Sequence, residues 1–188
     1  LIVSSGKTLS AYANDKITLA VGGIQVGGTN LIPNSGDFPN TDGWSIYSVN
    51  GGETLITVLS GTYGRNVLQI GGIDENVILY TGILTHKFKV GDAYTISFNA
   101  EDNHPIEVMV CDSNQENVVI NFGIMTSTIN DRGTYYKYSA TATVIGVQNN
   151  PVLRIRMYGV DDTVRYFDHI KLEKGTMGTD WSPAPGDP

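Results

Sequence analysis

One cysteine in 188 residues, Cys111, excludes an intrachain disulfide and any site built from several thiolates. Charge is scarce too, at 16% of residues against the usual ~25%. Twelve basic residues face nineteen acidic ones, for a net charge of −7, and the basic residues are scattered along the chain. A nucleic-acid surface or an anionic-membrane surface needs clustered Lys and Arg, so neither partner is expected. No apolar run reaches the length of a membrane span and no secretory leader is visible. With Leu at position 1, the sequence reads as a segment of a longer protein.

Catalytic patterns are also missing. His86, His104 and His169 stand apart, without paired metal-ligand spacing. There is no nucleophile elbow, and "VGGIQVGG" lacks the lysine that a phosphate loop needs. The carboxylate pairs Asp74-Glu75 and Asp161-Asp162 sit among turn residues, where Asp serves the backbone. A glycosidase instead needs two carboxyls set across a cleft. Cys111, at the apolar end of "IEVMVCDSN", has no Cys-His pattern around it and reads as a small packed residue. The expectation is a protein that is not an enzyme.

What the sequence does have is glycine (22 residues), ten tyrosines and short β-type runs. Residues 7–20, "KTLSAYANDKITLA", carry Leu9, Tyr12, Ala13, Ile17 and Ala20 at helical spacing, stopped by Gly22-Gly23. Residues 1–26 are therefore expected to be a short helical leader, either the end of a self-associating stalk or a loosely docked arm. From about residue 27, strands are predicted over 53–60, 65–71, 76–84, 93–101, 106–112, 117–124, 135–145, 152–158 and 164–173. Gly, Asn, Asp and Pro punctuate them. This is the pattern of an all-β antiparallel sandwich filling 27–188.

Alternation assigns faces. Tyr94, Ile96, Phe98 and Ala100 fall on one side of their strand, and Leu153, Ile155 and Met157 on one side of theirs. Tyr136, Tyr138, Ala140 and Ala142 likewise oppose Lys137, Ser139, Thr141 and Thr143. Tyr158 shares its phase with Arg154 and Arg156 and so points outward with them. If that strand lay beside the one carrying Asn99 and Glu101, these five side chains would form a polar, aromatic platform suited to a sugar ring. Trp44, in "NTDGWSIY", is either a core plug or a stacking residue at the rim of such a site.

Four stretches, "GGTNLIPNSGDF…GW", "VGDAYTISFNAE", "YYKYSATATV" and "FDHIKLEKGTMGTDWSPAP", resemble the jelly-roll carbohydrate-binding-like module of phage and prophage tail proteins. These are tail fibres, baseplate proteins and receptor-binding proteins of phages that infect Gram-positive hosts. The resemblance covers about Gly27 to Pro185. It implies a virion-displayed module that acts extracellularly on host cell-wall or surface polysaccharide. It also implies contacts with other tail or baseplate chains, and a homotrimer in the full-length protein. A purely structural spacer without a ligand is the alternative. Related modules often carry a structural calcium; Asp168 matches their last-strand ligand, whereas Pro39 stands where an acidic residue usually follows the Phe, leaving Asp37 before it. Trp181 is expected to seal the base of the sandwich near the first strand, outside the binding site.

Overall fold

In the computed structural model, residues 28–62, 65–72, 76–101, 105–129, 136–158 and 164–187 are described. The expected leader over 1–26 and its trimer contacts lie outside them, as do His104 and the pairs Asp74-Glu75 and Asp161-Asp162. The described residues contain no helix. Their strands are β1 (Trp44–Ser48), β2 (Thr54–Thr62), β3 (Arg65–Gly72), β4 (Asn76–Thr81), β5 (Ala93–Ala100) and β6 (Ile106–Asp112). They continue with β7 (Val118–Met125), β8 (Thr128–Ile129), β9 (Tyr136–Thr143), β10 (Pro151–Tyr158) and β11 (Val164–Lys174).

All pairings between these strands are antiparallel, and they form two sheets, β1-β4-β10-β6-β7 and β2-β3-β11-β5-β9-β8. The predicted alternation holds where it was read. Tyr94, Ile96, Phe98 and Ala100 of β5 meet Leu153, Ile155 and Met157 of β10 in one core shared by both sheets. Burying each large apolar side chain is worth about 1.5–3 kcal/mol, so such a core can stabilise a domain that has no disulfide. Cys111 is buried beside Met109 and Val152, as a packed residue should be. The β1 strand was not anticipated. Its five residues, WSIYS, are mostly polar or aromatic and are flanked by turn residues, so they carry little periodicity.

The segment before β1 completes the six-stranded sheet. β11 pairs with β3 only over Val164–Phe167. Beyond that point residues 30–35 take over: Leu31 N–H donates to Leu172 O at 2.8 Å and Ile170 N–H to Ser35 O at 2.7 Å. Asn30, fully buried, fastens this join. Its Nδ2 donates to Ser35 Oγ and Ile170 O, and its Oδ1 accepts from the N–H groups of Ile32 and Leu172. A buried amide with every group used is well compensated.

The C-terminal segment also packs onto β11, across the outer face of the same sheet. Glu173 accepts from Thr179 N–H and Oγ1 at 2.7 Å each, while Lys171 Nζ donates to Thr179 Oγ1 at 2.6 Å and Asp180 O at 2.7 Å. Lys171 and Glu173 are both buried and lie 3.4 Å apart as an ion pair. This explains why Thr95 and Ser97, which alternation places on the outer face, are buried: the returning segment covers them, with Thr95 Oγ1 donating to Gly175 O.

Candidate functional site

On the outer face of the five-stranded sheet, β10 presents Arg154, Arg156 and Tyr158, as their phase requires. Arg154 Nη2 donates to Glu107 Oε2 at 2.8 Å, and Tyr158 OH approaches the same oxygen at 3.4 Å. Arg156 Nη2 donates to Asn76 Oδ1 at 3.2 Å, and its guanidinium carbon lies 4.9 Å from the Tyr158 ring centroid. Such cation–π contacts hold a ring and a guanidinium together while leaving the donors in the guanidinium plane available. The Nε–H groups of Arg154 and Arg156 are buried and have no acceptor among the described residues.

The face continues onto β4 and β1. Tyr80 pairs in register with Arg154, and Tyr47 meets Tyr80 edge-on with ring centroids 5.9 Å apart at 65°. Tyr47 OH donates to Gln115 Oε1 at 2.9 Å. Gln115 lies in the β6–β7 turn, and β4 and β10 separate β6 from β1, a span of about 14 Å at ~4.8 Å per strand. The turn therefore curls over the sheet and gives this face a wall. Asp112 pins the turn, accepting from the N–H groups of Glu116 and Asn117 and from Asn117 Nδ2. Those bonds, the Asn117 side chain first, hold the Asp112 carboxyl below its ordinary range.

Asn99 and Glu101 do not join this row. Asn99 is on β5 and Glu101 directly follows it, with its N–H on Tyr166 O of β11, so both go with the other sheet and the expected five-residue platform does not form. Alternation tells which way a side chain points but not which strand lies beside it. Trp44 is in the core, 6% exposed, edge-on to Phe38, with Nε1–H donating to Asn34 O at 2.6 Å. Of its two readings, the core plug holds. Tyr47, Tyr80 and Glu107 were missed; Glu107 and Tyr80 alternate with core residues and could have been found by phase, whereas Tyr47 sits in the overlooked strand.

Asp37 and Asp168 do not fit a calcium ion. Asp168 is fully buried and ion-paired to Arg65 Nε; its other oxygen accepts from Asn99 Nδ2 at 2.7 Å and lies 3.0 Å from His169 Nδ1. Asp37 is exposed and accepts the N–H of Asn66 at 2.9 Å. The start of β3 thus gives each carboxylate a donor, and a guanidinium already supplies the positive charge that calcium would bring. Among the described residues no three carboxylate, His or Cys side chains converge as metal ligands, whereas calcium takes six to eight oxygens.

Asn99 and Asp168 instead belong to the opposite face. They are register partners, and Lys137 on β9 is the next residue across the sheet. A cavity of about 250 Å³ opens there between the sheet and the C-terminal segment, lined by Ser97, Asn99, Lys137, His169, Asp180 and Trp181. Trp181 does seal the region near residues 34–39, where a second hollow of about 60 Å³ includes Gly36 and Asp37. It also lines the larger cavity, edge-on to His169 with centroids 4.8 Å apart at 75°.

No family model matches the chain, and no curated protein sequence matches it. Solved structures do. Tailspike protein 4 of bacteriophage CBA120, in its enzymatically active domain, superposes with a TM-score of 0.57 at 11% identity over 78% of this chain and 21% of that one. The xylan-binding domain CBM22-1 of Paenibacillus barcinonensis Xyn10C gives 0.51 at 13% identity, covering 81% and 98% of the two chains. A family 16 carbohydrate-binding module gives 0.51 at 16%, covering 76% and 99%. The chain therefore has the β-sandwich fold of carbohydrate-binding modules. It spans about a fifth of the tailspike chain and nearly the whole of the two modules.

Proposed function

We propose that this chain is a non-catalytic saccharide-recognition module of a phage tail or receptor-binding protein, binding host cell-surface glycan through the outer face of its five-stranded sheet. The observation that carries the proposal is the walled face itself: Tyr47, Tyr80 and Tyr158 offer amphipathic rings beside the guanidinium groups of Arg154 and Arg156. Aromatic surface for a sugar's C–H face, with fixed donors beside it for hydroxyls, is the chemistry of saccharide recognition. The fold shared with carbohydrate-binding modules supports this reading, as does the resemblance to phage tail modules together with the tailspike neighbour. In that setting the module acts outside the cell on the virion, among other tail or baseplate chains and as part of a homotrimer.

Glycan-array binding and pull-down with Gram-positive cell walls test the proposal. Wild-type protein is expected to bind, and Tyr80→Ala and Arg156→Ala are each expected to weaken binding tenfold or more with an unchanged melting temperature. No binding on either assay, or undiminished binding by both variants, overturns it.

A further inference from the structure

We infer that the cavity beneath the C-terminal segment is a second saccharide site, on the sheet opposite the tyrosine–arginine face, sized for a single neutral pyranose ring. Three accessible polar atoms converge on it without hydrogen-bond partners among the described residues: Ser97 Oγ, Asn99 Oδ1 and His169 Nε2. Asp168 orients two of them, accepting from Asn99 Nδ2 and meeting His169 Nδ1, so the free atoms on the far side of each group point away from the carboxylate. Trp181 adds an aromatic surface to the same lining. Its Nε1–H is buried and has no acceptor among the described residues.

The backbone departs from regular geometry to make this arrangement. His169 has φ of 50°, in the left-handed region that non-glycine residues avoid, and the β11–β5 register shifts between Asp168 and Lys171. In an unbroken strand, His169 would follow Phe167 into the core. The bulge puts Asp168 and His169 together at the outer face and returns Ile170 and Leu172 to the interior. Bulges re-aim side chains, and strained residues cluster where a ligand is held. The opposite wall is equally fixed, because the buried Lys171–Glu173 pair grips Thr179 and the Asp180 carbonyl.

Size and charge choose the ligand class. A volume of about 250 Å³ is several times the ~30 Å³ share of a water molecule and below the ~300–1,000 Å³ of drug-sized sites, which suits one ring rather than a chain. The lining offers Lys137 and Asp180, charges of opposite sign, so it does not select a strongly ionic ligand. Hydroxyl, amide and imidazole groups around an indole match a polyhydroxylated ring.

Titrating the intact chain with methyl glycosides of glucose, galactose, mannose, N-acetylglucosamine and N-acetylgalactosamine tests the inference. Trp44 is in the core, so Trp181 is the tryptophan that reports on this cavity. At least one glycoside is expected to shift Trp181 emission and its indole N–H resonance saturably. Ser97→Val is expected to weaken that response tenfold or more while keeping the melting temperature, and Tyr80→Ala to leave it intact. No response from Trp181 to any glycoside, or an undiminished response in Ser97→Val, overturns the inference. Glycoside shifts confined to the Tyr47–Tyr80 face would overturn this site while sparing the proposed function.

Discussion

The indole of Trp181 lies flat against the backbone of Gly36, so close that a Cβ at position 36 would come within 1.8 Å of Cζ2. The glycine is needed for approach rather than for φ. Gly36→Ala must push the indole off its seat, with an overpacking cost of about 1–3 kcal/mol. The denaturation midpoint should fall accordingly and Trp181 emission should move to the red. An unchanged midpoint would mean that the closing segment is not packed as described.

Asn30 joins two chain segments that are 140 residues apart. Asn30→Ala strands the buried N–H groups of Ile32 and Leu172 and the buried carbonyl of Ile170. Each buried polar group left unpaired costs about 1–3 kcal/mol, so the loss should reach several kcal/mol. Hydrogen exchange at Ile32 and Leu172 should accelerate more than at β10, which lies in the other sheet.

Arg65 and Asp168 predict a response to mutation and to metal. Arg65→Met removes the cation from a fully buried carboxylate, and breaking such a pair from one side costs about 3–5 kcal/mol. Because a guanidinium holds Asp168, adding calcium or EDTA should leave the melting temperature unchanged. A drop with EDTA that calcium restores would contradict the description of this site.

Cys111 predicts a pH dependence. Burial pushes its thiol up from 9.0 to about 11, with Asp112 adding to the effect and Arg154 opposing it. The folded state therefore holds the thiol proton more tightly than the unfolded chain does. The associated stability is complete below pH 9 and is lost as pH rises through 11, on the order of 2 kcal/mol. The difference in denaturation midpoint between wild type and Cys111→Ala, followed from pH 8 to 11, measures it. At pH 8 the native thiol should not react with a disulfide reagent until the protein is unfolded.

Much of the fold was legible because alternation is a local property. Tyr94, Ile96, Phe98 and Ala100 declare their face within eight residues, and the burial of β5 follows. Phe167, Ile170 and Leu172 are all apolar and all in the core, a phase change that strict alternation forbids, and the structure supplies the needed break in β11 as a bulge. Sheet order was not legible. Nothing within 93–101 or 152–158 says that β5 and β10 lie in opposite sheets, so a site assembled across them failed although its β10 half was correctly oriented. His169 and Trp181 were underread for a related reason. A bulge and a returning segment brought them together, and neither leaves a periodic trace.

β11 has one further consequence. Residues 30–35 are hydrogen-bonded to it on entering the sandwich, and Lys171 and Glu173 hold the departing segment to the same strand. Tension applied between the two ends of the described segment would load this strand directly and largely bypass the five-stranded sheet. The tyrosine-bearing face lies on the sheet outside that line of force and would stay relaxed under the load.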